Sequence, residues 1–271
     1  MAVQLEAGSS SRPHAGKVFA AVFPHSDDFS LAVGGTILKL IHEGYTGYLI
    51  RTTNDEKDSC GMSIGETIAE IERETYAMAQ TLGIKKVYDL NYKNHYLDAV
   101  PPTELRHRLI SLFRHLQVDT IISFDPWGHY EENPDHYVTA AQVEAACWMA
   151  GRASDLPELE DMGVKPKSVQ ERYYWARGPQ KVNRIVDTSP FFQKKREAVL
   201  CNKTPIRRMI RDKRNQLARE GKRIPELEGD EGAAFRFWID KVLLPPDARL
   251  GAEYGFDFAE AFHYISETGE S

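Results

Sequence analysis

Short apolar runs alternate with amphipathic stretches along the first half of the chain. Residues 18–23 read VFAAVF, a continuous apolar run that suits a parallel strand buried on both faces. Residues 30–43 place Leu31, Ile37, Leu38 and Ile41 at helical spacing and stop at Gly44, a fitting C-terminal cap. The alternation then repeats: strands are predicted at 46–54, 85–92 and 119–124, and helices at 65–83, 103–117 and 135–150. The order β-α-β-α-β-α-β-α predicts an α/β fold, a Rossmann-like, mostly parallel sheet with helices on both faces.

The second half is less regular. Residues 151–168 are polar and rich in Pro and Gly, so they read as a long loop. Further strands are expected at 169–177 and 183–188, helices at 190–203, 205–221 and 232–244, and an aromatic tail at 254–265. The polar stretch 1–16 reads as a loose leader. We therefore expect one domain over residues 1–271, with about 170–265 as a C-terminal elaboration.

Composition narrows the function. A net charge of −6 disfavours nucleic acid as a partner. No apolar run approaches the ~20 residues of a membrane span. The N-terminus lacks the apolar core of a secretory signal. Three scattered cysteines, Cys60, Cys147 and Cys201, argue against a disulfide framework and fit a cytoplasmic protein. One segment departs from the acidic average: residues 194–223 carry twelve lysines and arginines against Glu197, Asp212 and Glu220. It reads either as a solvated helix face or as a rim that attracts an anionic substrate or a subunit partner.

The candidate chemistry sits where two predicted strands end. The first strand runs into PHSDDF (24–29), the fourth into DPWGHYEENPDH (125–136). In open parallel sheets, ligands bind outside the carboxyl ends of strands. His25 and Asp28, three residues apart, can aim at one point, and His136 would complete two imidazoles and a carboxylate, a catalytic zinc set with an open position. Asp27 would then stand beside the metal as a general base. The spacing alone leaves another reading open: Asp28 suits a helix N-cap, and Asn133 and Asp135 suit the cap of the helix near Pro134. Gly34 and Gly35 lack a phosphate-loop context and read as small residues for close helix–sheet packing or for backbone approach to the site.

PHSDDFSLAVGGTI closely resembles the PHPDDE…GGT signature of the LmbE-like, PIG-L family of zinc-dependent de-N-acetylases, and DPWGHYEENPDHYVTA resembles that family's HPDH motif. The likeness covers about residues 17–145 well and 170–265 loosely. It implies zinc held by His25, Asp28 and His136, Asp27 as general base, and Asp135 orienting a histidine. It also implies a small-molecule N-acyl substrate, expected to be an N-acetylated amino sugar or sugar conjugate, and is compatible with a homo-oligomer. The alternatives are an amidase on a non-sugar N-acyl compound and a catalytically weakened small-molecule-binding homologue.

Four departures stand out. Ser26 replaces the family's proline and Phe29 its glutamate. Asn133 stands where the first histidine of HPDH is usual, and Asn202 is the loose match to a second family histidine. An asparagine can donate to an oxyanion but cannot supply a proton, so Asp27 is expected to serve as both base and acid. His129 is the possible helper, or else an exposed loop histidine. Trp127 is a candidate for stacking on a sugar or for core packing. His95, beyond the third predicted strand, is a further site candidate, whereas Trp148 and Trp175 are expected in the core.

Overall fold

The computed structural model of the chain describes residues 3–9 and 11–267. Eight strands form one sheet: β1 (Gln4–Glu6), β2 (Val18–Phe23), β3 (Thr46–Thr53), β4 (Lys86–Tyr92), β5 (Thr120–Phe124), β6 (Glu171–Trp175), β7 (Arg184–Asp187) and β8 (Ala259–Ser266). Their order is β1-β7-β8-β6-β5-β2-β3-β4. Only β8 runs antiparallel to its neighbours, β6 and β7. Among the described residues the α-helices are α1 (Ser26–His42), α2 (Ile64–Leu82), α3 (Pro102–Leu116), α4 (Pro134–Ala150), α5 (Glu158–Asp161), α6 (Phe192–Cys201), α7 (Lys203–Arg219), α8 (Pro225–Glu228), α9 (Glu231–Trp238) and α10 (Pro245–Tyr254).

The alternation of side chains along β2 explains the two-sided core. Phe19, Ala21 and Phe23 face a cluster with Phe29, Val33, Met78 and Ala198 from α1, α2 and α6. Ala20 and Val22 face the other way, toward Leu105, Leu109, Phe113 and Val143 from α3 and α4. A third cluster, with Ile206, Ile210, Phe235 and Trp238, joins α7 and α9 to α6. The expected α/β architecture with helices on both faces is what the structure has.

The connections set the site. From β2 the chain crosses outward to β3 and β4, whereas β5 and β6 lie on the other side of β2. The order therefore reverses between β2 and β5, which pair directly through Ala20↔Ile121 and Val22↔Ser123. This reversal opens a crevice at the strand ends.

Three elements and one side chain are placed differently from the sequence expectation. Helix α1 begins at Ser26, not near residue 30, so Asp27 and Asp28 lie in its first turn. Within the leader, Gln4–Glu6 pairs parallel with β7, and the Glu6 carboxylate takes bonds from Lys39, Arg184 and Tyr173. A three-residue edge strand of polar composition has no apolar period to betray it; residues 1, 2 and 10 of the leader lie outside the described residues. The aromatic tail is β8, and with β6 and β7 it extends the central sheet. Trp148, expected in the core, is 61% exposed and lies under the Arg152 guanidinium.

Gly34 and Gly35 pack as expected of small residues. A Cβ on Gly35 would lie 2.6 Å from the Thr188 side chain and 2.9 Å from Glu260 Oε1. The closeness lets Glu260 accept from the backbone N–H groups of Gly35 and Thr36, while the buried Lys195 ammonium bonds Glu260 and Asp247. Gly35→Ala should therefore destabilise by about 1–3 kcal/mol through overpacking. Gly65→Ala, with nothing within 4 Å, should be neutral or stabilising by up to ~1 kcal/mol. Thermal denaturation of the two variants checks the contrast; equal melting temperatures would contradict it.

Candidate metal centre

Three side chains meet in the β2–β5 crevice. His25 caps α1 from the end of β2, Asp28 lies in the first turn of that helix, and His136 lies in the first turn of α4 after β5. His25 Nδ1 is 3.0 Å from His136 Nε2 and 3.2 Å from Asp28 Oδ2, and His136 Nε2 is 3.6 Å from the same oxygen. Ligand atoms around a tetrahedral zinc with arms of about 2.0–2.1 Å lie roughly 3.3 Å apart. The three donors thus already have the spacing a zinc ion needs. Asp28 also accepts from the His25 backbone N–H at 3.1 Å, so the capping role and the site geometry belong to one carboxylate.

A second layer orients the rings. Asp135 Oδ2 is 3.2 Å from His25 Nε2, and Glu131 Oε1 is 3.1 Å from His136 Nδ1. Each carboxylate faces the nitrogen that points away from the centre, which fixes the tautomer with the inner nitrogen free to bind. Phe124 stacks on the His136 ring at 4.1 Å. Asp135 also accepts the backbone N–H groups of His95, at 2.6 Å, and Leu97. That bond secures His95 in a left-handed conformation, φ 62°, and its ring lies 6.4 Å from that of His25. A ligand atom of His95 lies within 4.8 Å of those of His25 and Asp135.

The other residues singled out by sequence fall in different places. Asn133 caps α4, its Oδ1 accepting from Asp135 N, so only its amide nitrogen remains as a donor type. Asn202 is buried and spends both amide atoms, accepting from Ser26 Oγ and donating to Ser30 Oγ, each at 2.9 Å; it secures the start of α1 and does not offer a substrate contact. Phe29 packs edge-on against Phe23 in the core. His129 is exposed and borders a small cavity beside His136. Trp127 is half-exposed and leans on Tyr174 and His263, away from the three donors.

Three acids of the crevice were not singled out from sequence. Besides Glu131, the loop after β3 brings in Asp55 and Asp58, which form a second cluster with His25. Asp55 accepts from Ser26 N, Thr53 and Arg51, and Arg208 pairs with Asp58 at 3.0 Å. Asp55 and Asp58 in the loop after β3, and Glu131 two residues before a capping Asn, look like ordinary loop acids; only the fold reveals their target. Ser26 donates its N–H to Asp55, which the family's proline could not.

These charges shape each other. Burial, then the Asp28 and Asp58 charges, push the Asp27 carboxyl up to about 8. Burial opposes the charged form of His25, but hydrogen bonds to Asp135 and Asp28 outweigh it and raise its pKa well above 6.5. Burial also opposes ionised Asp28 and Asp135, yet the facing histidines hold both below the usual carboxylate range. The centre is therefore built for positive charge, a proton on His25 or a cation in its place.

The fold and the site can be set beside those of known proteins, and one family matches. The profile described as PIG-L: GlcNAc-PI de-N-acetylase matches residues 20–147. Diacetylchitobiose deacetylase of Thermococcus kodakarensis is 31% identical over 188 residues, 68% of this chain and 68% of the relative. Probable N-acetyl-alpha-D-glucosaminyl L-malate deacetylase 2 of Bacillus anthracis is 32% identical over 130 residues, 46% of this chain and 57% of the relative. The solved N,N'-diacetylchitobiose deacetylase from Pyrococcus horikoshii shares the fold with a TM-score of 0.75 at 24% identity, covering 92% of this chain and 84% of that one. The chain belongs to the PIG-L (LmbE-like) family. No helix among the described residues is long and apolar enough to cross a membrane.

The pKa directions fix the sign of a pH test on metal-free protein. Folded Asp27 keeps its proton to about 8, against 3.8 as the reference, so its contribution falls as pH rises through that window. The stability from protonated His25 is full below ~6.5 and is lost as pH rises through its raised folded pKa. The depressed Asp28 and Asp135 matter only in acid, where their stabilisation is lost. Chelator-treated protein should therefore melt several degrees lower at pH 9 than at pH 6, while the gain on adding zinc should grow over the same range. A chelated protein whose melting temperature is flat or rises with pH would contradict this.

Proposed function

We propose that this protein hydrolyses the amide of an N-acetylated amino sugar or sugar conjugate, releasing the acyl group, with one zinc ion held by His25, Asp28 and His136. The observation that carries the reading is the convergence of three donor atoms, 3.0 to 3.6 Å apart, at the β2–β5 crevice beside Asp27. The relatives' activities on diacetylchitobiose and a glucosaminyl malate point to the substrate class. When bound, zinc supplies a Lewis acid that acidifies water and polarises an acyl oxygen.

The chain's own residues do the rest. Asp27 sits in the first turn of α1, next to ligand Asp28 but outside the donor triangle. It takes the proton of the attacking water. Once it has taken the water's proton, the same carboxyl can return it to the leaving amine, so one residue covers both steps. With a divalent cation at the centre, Asp27 would be favoured in its ionised form, which suits it to start as a base. Asp135 and Glu131 hold the two imidazoles so that their inner nitrogens face the centre. The Asn133 amide, anchored through its oxygen, offers a nitrogen donor to the oxyanion that develops at the attacked carbon. His95, at the exposed edge of the crevice, would bond a substrate hydroxyl.

Asp27→Asn should retain zinc and lose about 10²–10⁴ in kcat, measured as amine release from N-acetylglucosamine derivatives. Full activity in zinc-loaded Asp27→Asn would remove the base assignment. A panel of N-acetylated sugars from which wild-type protein releases no amine, with zinc or without, would overturn the functional reading itself.

A further inference from the structure

The basic segment singled out by sequence folds mostly into α6 and α7. Several of its cations pair with acids: Lys195 with Asp247 and Glu260, Arg196 with Asp240, Arg207 with Glu231 and Arg208 with Asp58. Between the two helices stands an uncharged residue, Asn202, buried at their junction. Its main chain is held on both sides, the N–H donating to Val199 O and the carbonyl accepting from Ile206 N. The residues that follow are held as well, because the Glu74 carboxylate of α2 takes the N–H and the hydroxyl of Thr204. The Asn202 side chain therefore projects from a fixed point.

From that point it reaches both sides of Asp27. Asn202 Oδ1 accepts from Ser26 Oγ, and Nδ2 donates to Ser30 Oγ, each at 2.9 Å. Ser30 Oγ gives its own hydrogen to the main-chain carbonyl of Asp27, at 3.3 Å. A hydroxyl has one hydrogen and a carbonyl only accepts, so Ser30 must accept from the amide nitrogen, which fixes the orientation of the Asn202 amide. Ser26 in turn accepts from Thr75 Oγ1 and gives its main-chain N–H to Asp55. Ser26, Ser30, Thr75 and Asn202 are each at most 1% exposed, so bulk water does not compete for these bonds. The start of a helix is otherwise where it frays. Asp28 has a restraint of its own, the His25 main-chain N–H. No hydrogen bond holds the Asp27 carboxylate among the described residues, so its place relative to the centre is set by the main chain of this first turn.

We propose that Asn202 is a positioning residue for the base: through Ser26 and Ser30 it holds the first turn of α1 so that the Asp27 carboxylate keeps its working distance from the centre. The inference rests on the deacetylase reading and extends it, making the α6–α7 junction part of the catalytic apparatus. Ser26 and Asn202, both departures from the family pattern, then act as one pair. Misplacing a reacting group by about 1 Å costs on the order of 10² in rate, so a brace remote from the substrate can govern turnover.

Steady-state kinetics of zinc-loaded, full-length protein test this, with the N-acetylated sugar that the unsubstituted protein turns over fastest. Asn202→Ala and Ser30→Ala should each lower kcat about ten- to a hundredfold. KM should stay within about twofold and the bound zinc should be retained, a split that general destabilisation would not give. Ser26→Ala combined with Asn202→Ala should lose no more kcat than the worse single variant, because both break one network. Ser30→Ala places a better helix former in α1 and keeps the test decisive where Asn202→Ala does not fold. Hydrogen exchange read by mass spectrometry adds a measure free of turnover: either single substitution should speed exchange about tenfold in peptides covering residues 26–31 and leave β5 unchanged. Unchanged kcat in the folded variants, losses that multiply in the double variant, or loss of zinc and KM along with kcat would overturn the proposal. Exchange that rises throughout the chain, or nowhere, would overturn it too. Absence of amine release by unsubstituted protein is a different result: it removes the deacetylase reading, and the exchange pattern then still decides whether Asn202 braces α1.

Discussion

Everything at the crevice depends on one electrostatic constraint: more carboxylates than cations are drawn together at the ends of β2, β3 and β5. Asp28, Asp55, Asp58, Glu131 and Asp135 surround two imidazoles that stand 3.0 Å apart. Buried like charges cannot persist without compensation. Arg51 and Arg208 neutralise the flank formed by Asp55 and Asp58. The centre itself has only a proton on His25, or a divalent cation, to hold it. The donor spacing suits the cation, and the outer carboxylates hold both rings in the matching tautomer.

The fold supplies this arrangement through the place where its strand order reverses. Because β2 and β5 are neighbours but their following helices leave to opposite faces, the first turn of α1 and the first turn of α4 approach each other across the crevice. A hydrogen-bond chain then fixes α1 from behind: Arg51 donates to Thr75, Thr75 to Ser26, Ser26 to Asn202, and Asn202 to Ser30. Two positions that depart from the family pattern, Ser26 and Asn202, are thus bonded to one another. Their exchange for proline and histidine would remove a donor and an acceptor from the same chain.

Much of this was legible in the sequence, and what was not has identifiable causes. The βα alternation of residues 18–150 marks the parallel sheet because buried strands and amphipathic helices have distinct apolar periods. His25, Asp28 and His136 were singled out because two strand-end loops are rich in ligand-type residues and match the two motifs of the family; spacing alone fitted helix caps as well. By contrast, β1 is short and polar, and β8 looks like an aromatic tail until its partners are seen. Asp55, Asp58 and Glu131 sit in loops where acids are commonplace, and nothing local shows which way they point. The early start of α1 was hidden because Pro24 and the acids after His25 fit a turn as well as a helix N-terminus. Asn202 looked like a degraded histidine; in the fold it is a fully bonded brace.

The central claim is that His25, Asp28 and His136 form one zinc site on which the protein's activity rests. Metal analysis by mass spectrometry of protein purified without chelator tests it most directly, beside a His136→Ala variant shown to be folded by circular dichroism. The account predicts close to one zinc per chain in the unsubstituted protein and almost none in the variant. A folded unsubstituted protein that takes up no zinc from excess, or a variant that keeps full stoichiometry, would contradict it.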